Sequence, residues 1–105
     1  MEISISSRNR DLSESLQATT RRKISRLGRL NRRMARAEVH FYEERNPRIA
    51  DREVCEVLME GDGNHVRCKV AAPDGYAAID KAIEKLEHQL HKLKTRSGGR
   101  IHARV

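Results

Sequence analysis

Apolar residues recur along this chain with two different periods. Ile3 and Ile5 alternate with Glu2, Ser4 and Ser6, a period of two that predicts a short strand. Ser7-Arg8-Asn9-Arg10 reads as a loop. The period then changes. Leu16, Thr20, Ile24, Leu27 and Leu30 are spaced by four, four, three and three, one stripe of an amphipathic helix over about 13–29. Ser13 is placed to cap its N-terminus, and Glu14 suits the positive end of the helix dipole. Gly28 weakens the last turn by roughly 1 kcal/mol relative to Ala. Ala37, Val39 and Phe41 alternate with Glu38, His40 and Tyr42, which predicts a half-buried strand. Residues 44–51 contain Asn46-Pro47 and form a loop. Cys55, Val57 and Met59, the turn Gly61-Asp62-Gly63, and Val66, Cys68 and Val70 form a hairpin. A two-residue loop at Gly61-Asp62 sets Cys55 opposite Cys68 and Val57 opposite Val66, with the core residues of both strands on one face. Asp74 caps a last helix whose stripe is Tyr76, Ile79, Ile83, Leu86, Leu90 and Leu93, ending near 95.

The order is strand, helix, strand, strand, strand, helix. Each strand has one apolar face, and two amphipathic helices are available to cover it. The expected fold is α+β, a two-layer β-α-β-β-β-α sandwich with a four-stranded sheet and both helices on one face. The first helix is long enough for a right-handed parallel crossover. With 105 residues the chain holds one domain. Its expected bounds are 1–95, followed by a basic, flexible tail over 96–105 with Gly98-Gly99, Arg96, Arg100 and Arg104. There are no internal repeats.

Charge adds the functional clue. The chain carries 22 Lys and Arg against 15 Asp and Glu, a net of +7. Residues 1–36 hold ten cations and three acids, residues 37–75 five and nine, and residues 76–105 seven and three. Positive charge therefore sits on the helical ends of the chain and negative charge on the strands between them. That separation suits one basic face better than a uniformly sticky polycation. At 100° per residue, Arg22, Arg26 and Arg29 fall about 220–280° from Leu16 on the first helix. Lys81, Lys85 and Lys92 fall about 200–240° from Ile79 on the last helix, with Asp80, Glu84 and Glu87 on one flank. Both ridges point away from the sheet. Side by side, they are expected to merge into one patch with no carboxylates along its spine. A phosphate backbone is the commonest partner for such a surface, and Arg forks grip phosphate with two bonds. Aromatics are only 3% of the chain, too few for stacking single-stranded bases, so recognition by shape and charge is expected.

Tyr76-Ala77-Ala78-Ile79-Asp80, Lys85-Leu86, Gln89-Leu90 and Lys92-Leu93-Lys94 resemble the final helix of the bacterial ribosome hibernation-promoting factor and ribosome-associated inhibitor family. Arg22-Lys23-Ile24-Ser25-Arg26-Leu27-Gly28-Arg29 resembles its first helix, and Ala37-Glu38-Val39-His40-Phe41 stands at the expected distance. The resemblance covers roughly residues 2–95 and fits a short form or the N-terminal domain of a long form. It implies the same β-α-β-β-β-α fold. It also implies binding to the small ribosomal subunit and its rRNA, in the mRNA and tRNA channel, with initiation blocked during stress or stationary phase. Carried over by position, the rRNA-binding candidates are Arg22, Lys23, Arg26, Arg29 and Arg33, with Lys81, Lys85, Lys92 and Lys94 on the last helix. Lys23 and Lys94 lie nearer the apolar stripes; Arg32 and Arg36 extend the patch. The family's histidine-containing loop after the first strand is here Ser7-Arg8-Asn9-Arg10, and the basic tail replaces the acidic tail of short members.

No cofactor, metal, small-molecule substrate or membrane partner is expected. Cys55 and Cys68 read as core thiols. His88 and His91 lack further ligands at zinc spacing, and His88 beside the lysine ridge is an extra cation at low pH. No phosphate loop or nucleophile motif appears, so an enzyme is not expected. No apolar run approaches a membrane span, and the N-terminus has no signal pattern, so a cytoplasmic location is expected. Two other readings stay open: a free-standing double-stranded RNA module, and a protein-binding module that uses an acidic outer sheet face. Self-association is left open.

Overall fold

A computed structural model describes residues 1–8 and 10–103, with side chains described through Lys94. The elements are β1 (Glu2–Arg8), α1 (Glu14–Leu30), β2 (Arg36–Glu43), β3 (Glu53–Gly61), β4 (Asn64–Ala72) and α2 (Gly75–Ala103). The strands form one sheet in the order β1-β2-β3-β4. β1 and β2 are parallel, joined through α1, and the other two pairings are antiparallel.

The inward residues of β2, β3 and β4 form a single buried cluster with Leu16, Ile24 and Leu27 of α1 and Ile79, Leu86 and Leu90 of α2. Both helices therefore cover the same face, and the fold is the two-layer α+β sandwich that the periodicity predicts. Phe41, Ile24, Met59, Ile79 and Leu86 are fully buried at its centre. The helix caps are as the sequence implies. Ser13 Oγ accepts from the Leu16 amide at 3.0 Å, and Asp74 Oδ1 accepts from the Ala77 amide at 2.8 Å.

Four details differ from the sequence reading. First, β1 runs on to Arg8, because Ser7 and Arg8 continue the ladder against Phe41 and Tyr42. Backbone pairing overrides their loop-like composition. Second, the hairpin register is shifted by two residues. Cys55 stands opposite Val70, Val57 opposite Cys68 and Met59 opposite Val66. The turn residues are Asp62 and Gly63, with φ of 50° and 73°. Positive φ at both positions matches the twist of the flanking strands, and an Asp-Gly pair tolerates it. The two-residue shift preserves which side chains face inward. Third, Tyr76 is 43% exposed instead of lying in the core stripe; small Ala78 and Ala82 take the buried positions. Fourth, α2 continues to Ala103, past the expected end near 95. Extension from an existing helix fixes one residue at a time, and no proline interrupts residues 95–103. The side chains of the expected flexible tail lie outside the described residues.

Candidate nucleic-acid interface

The face of α1 opposite its buried stripe carries Arg22, Arg26 and Arg29, all exposed. Their spacing of four and three residues aligns them along one ridge. The ridge ends at the 31–35 loop, where Arg32 and Arg33 are also exposed. This loop is held firmly. The Ala35 amide donates to the Glu60 carbonyl at 2.7 Å, the Met34 amide to Asn31 at 3.0 Å, and the Glu2 amide to Ala35 at 2.9 Å.

Three contacts join the helices in the same chain order, so they run parallel. Tyr76 donates its hydroxyl to Ser15 Oγ at 2.8 Å, Lys23 Nζ meets Asp80 Oδ1 at 2.7 Å, and Lys94 Nζ donates to the Leu30 carbonyl at 3.0 Å. A different flank of α2 meets the edge of β4. Lys81 Nζ donates to the Ala71 carbonyl at 2.8 Å and approaches Asp51 at 3.9 Å. The Gln89 amide clamps the Arg67 backbone, accepting from its N–H at 3.2 Å and donating to its carbonyl at 2.7 Å. This clamp satisfies both backbone groups of Arg67 on a sheet edge that would otherwise leave them unpaired. No sequence motif announced it.

These contacts correct the expected merger of the two ridges. Lys81, Lys85 and Lys92 share the flank of α2 that leans past β4, on the side away from α1. The flank facing α1 carries Asp80, with exposed Glu84 and Glu87 on the same flank by helical spacing, so carboxylates stand between the ridges, and Asp80 neutralises Lys23. The rotation of α2 is fixed by burying Ala78, Ile79, Ala82 and Leu86, and a helical wheel alone does not say which flank meets the neighbouring helix.

The candidates thus divide into two groups. Lys23, Lys81 and Lys94 are engaged within the fold. Arg22, Arg26, Arg29, Arg33, Lys85 and Lys92 are exposed, and among the described residues none has a carboxylate within ion-pair distance. Arg32 joins the second group. Arg36 does not, because it sits at the sheet and pairs with Glu60 and, at 3.9 Å, Glu38.

The opposite, helix-free face of the sheet is charge-balanced. Register places Glu2, Glu38, Glu56 and Glu60 among Arg8, Arg36, Arg67 and Lys69. Lys69 pairs with Glu56 at 3.8 Å, and Lys69 and Arg8 both lie over the Tyr42 ring. The acidic outer face suggested by the composition of residues 37–75 is therefore not present. Cations from β1, β2 and β4 interleave with its carboxylates. Unbalanced positive charge is concentrated on the helix side.

The remaining reactive groups are placed structurally. Cys55 is buried and Cys68 half-buried, offset diagonally across β3 and β4. Burial, with a smaller contribution from neighbouring Cys68, pushes the Cys55 thiol up to about 12 from its ordinary 9.0. The folded chain holds that thiol neutral. The stability this contributes is complete below the unfolded value near 9 and is lost as pH rises toward 12. Iodoacetamide at about pH 8 is expected to leave Cys55 unmodified in the native protein and to label it in urea, read by mass spectrometry. Labelling of the native thiol at the unfolded rate would contradict its burial. Among the described residues no group of three or more His, Cys, Asp or Glu side chains could hold a metal ion. No described helix is long and apolar enough to cross a membrane.

Comparison with known proteins agrees with the resemblance carried by α1 and α2. Residues 3–97 match the profile of the family described as Sigma 54 modulation protein / S30EA ribosomal protein. The ribosome hibernation promotion factor of Deinococcus radiodurans is 36% identical over 94 residues, covering 88% of this chain and 48% of that protein. That of Mycobacterium tuberculosis is 33% identical over 98 residues, covering 90% and 44%. The chain thus spans about half the length of the curated relatives it matches. Among solved structures, a ribosomal subunit interface protein from Coxiella burnetii superposes with a TM-score of 0.80 at 21% identity, over 90% of this chain and 99% of that one, a likeness of fold. The N-terminal domain of Thermus thermophilus Protein Y gives 0.73 at 26% identity, over 89% and 99%. A match across both helices and all four strands settles the ancestry: the chain belongs to the Sigma 54 modulation protein / S30EA ribosomal protein family.

Proposed function

We propose that this chain is a non-catalytic ribosome-binding domain that holds the small ribosomal subunit idle. In this reading it lies in the mRNA and tRNA channel and grips rRNA phosphates through the helix side of the sandwich, in the cytoplasm, during stress or stationary phase. One observation carries the reading: the exposed, carboxylate-free cations lie on the helix side, while the other side is balanced. The relatives named as hibernation factors support it. The two ridges act as separate grips. Arg22, Arg26, Arg29 and Arg33 form one, and Lys85 and Lys92 the other, with the Lys23–Asp80 pair and the Glu84 and Glu87 flank between them. Two spaced rows of donors suit a folded RNA surface better than a single strand.

The test is co-sedimentation with purified small subunits through a sucrose cushion over a range of salt. Each phosphate contact releases counterions. Six contacts predict that log K falls against log salt with a slope of about −4 to −5. A slope near zero, or no pelleting at low salt, would sink the proposal. Arbitrary RNA duplexes competing as well as subunits would favour a general duplex-binding module instead.

A further inference from the structure

At the end of the helix face lies a feature that charge alone does not explain. A cleft of about 420 Å3 opens between the end of α1, the 31–35 loop and α2. Its floor is apolar. Leu30, at 59%, is the most exposed large hydrophobic among the described residues, and it lies beside Leu90, Leu93 and Met34. Its rim carries Arg29, Arg32, Arg33 and Lys94, and among the described residues no carboxylate lines it.

The cleft is preformed, because the loop bonds described above pin the backbone of residues 31–35. The helix dipole would ordinarily oppose an anion here, at the C-terminus of α1. Two carbonyls at that end are covered: Asn31 Nδ2 donates to Leu27 at 2.9 Å, and Lys94 Nζ donates to Leu30. The rim cations therefore dominate the local field. The occupant must combine a flat apolar surface with an adjacent negative charge. An acidic peptide satisfies the rim but not the floor. An uninterrupted RNA duplex offers phosphate but hides the faces of its bases.

We propose that this cleft receives one unpaired nucleotide of the bound RNA, its base over Leu30 and its phosphate on Arg32 and Arg33. The proposal rests on the RNA-binding reading above and adds a structural preference to it. The aliphatic floor takes the place of the aromatic platform that this chain lacks.

The test compares two RNA hairpins of the same stem sequence, one fully paired and one with a single bulged 2-aminopurine, by fluorescence anisotropy at one salt concentration. The bulged hairpin is expected to bind about tenfold tighter, in line with burial of one exposed leucine side chain, and its 2-aminopurine emission to change on binding. In Leu30→Ser the affinity ratio is expected to fall to about one, with an unchanged thermal midpoint as the check on folding. Equal affinities in the wild type, or an undiminished ratio in Leu30→Ser, would overturn the proposal. So would displacement of the bulged hairpin by AMP alone as effectively as by unlabelled hairpin, which would mark a site for free nucleotides. If subunits co-sediment but the bulge makes no difference, only the cleft assignment fails. If neither hairpin nor subunit binds, the RNA-binding reading fails with it.

Discussion

Replacing Arg22, Arg26 and Arg29 together with Glu is expected to abolish co-sedimentation with the small subunit. The variant removes three charge-assisted contacts of about 1.5–3 kcal/mol each and turns attraction into repulsion. A loss of at least about a thousandfold in affinity follows. Folding should survive, because all three side chains project into solvent away from the buried stripe, and substitutions at such positions are usually worth less than about 0.5 kcal/mol each. The control is Arg67→Glu with Lys69→Glu on the opposite sheet face. Generic polycation behaviour predicts a loss there in proportion to the charge removed. A one-sided grip predicts that the control keeps most of its binding. Comparable loss in both variants would contradict the assignment of the face.

Gly61→Ala is expected to destabilise the fold more than its size suggests. A Cβ at this position would overlap the Arg33 carbonyl oxygen and lie 2.7 Å from the Ala35 nitrogen. Those are backbone atoms, so no rotamer change relieves the clash. The hairpin end and the 31–35 loop must separate, which breaks the Ala35–Glu60 hydrogen bond. The cost lies at the upper end of the ~1–3 kcal/mol typical of overpacking, a fall in Tm of about 10–20 °C for a domain of this size. Gly63→Ala is the informative contrast. Nothing lies within 4 Å of its added Cβ, and only its φ of 73° is strained, so a cost of about 1 kcal/mol is expected. Circular-dichroism melts of both variants check the order. Gly61→Ala melting at or above Gly63→Ala would contradict it. Because the loop carries Arg32 and Arg33, Gly61→Ala should also weaken subunit binding.

The two glycines show where sequence reasoning stopped. The cluster Gly61-Asp62-Gly63 correctly signals a hairpin, but three adjacent turn-formers do not reveal which two make the turn. The decision lies in the distant Arg33 carbonyl, which requires a glycine at 61 for close approach and so leaves Asp62-Gly63 to reverse the chain. The face assignments of Val57, Met59, Val66 and Val70 were nonetheless legible, since a shift of two residues preserves the alternation. The same limit applies to the site. Periodicity places Arg22, Arg26 and Arg29 opposite Leu16 and Ile24 without any tertiary knowledge. It also puts Asp80 on a different flank from Lys81 and Lys85, but not which flank faces α1. That depends on α2 packing over β3 and β4, a consequence of strand order. The bonds that occupy Lys94 and Gln89 end on backbone groups 64 and 22 residues away, and that of Lys81 ends on the preceding strand, so no helical pattern encodes them.

The most direct measurement is a cryo-electron-microscopy reconstruction of this chain bound to the small subunit. The account predicts rRNA phosphates at hydrogen-bonding distance from Arg22, Arg26 and Arg29, a second group of phosphates beside Lys85 and Lys92, and the Tyr42 side of the sheet turned away from RNA. A complex seated through the sheet face, or one lying outside the mRNA and tRNA path, would contradict it.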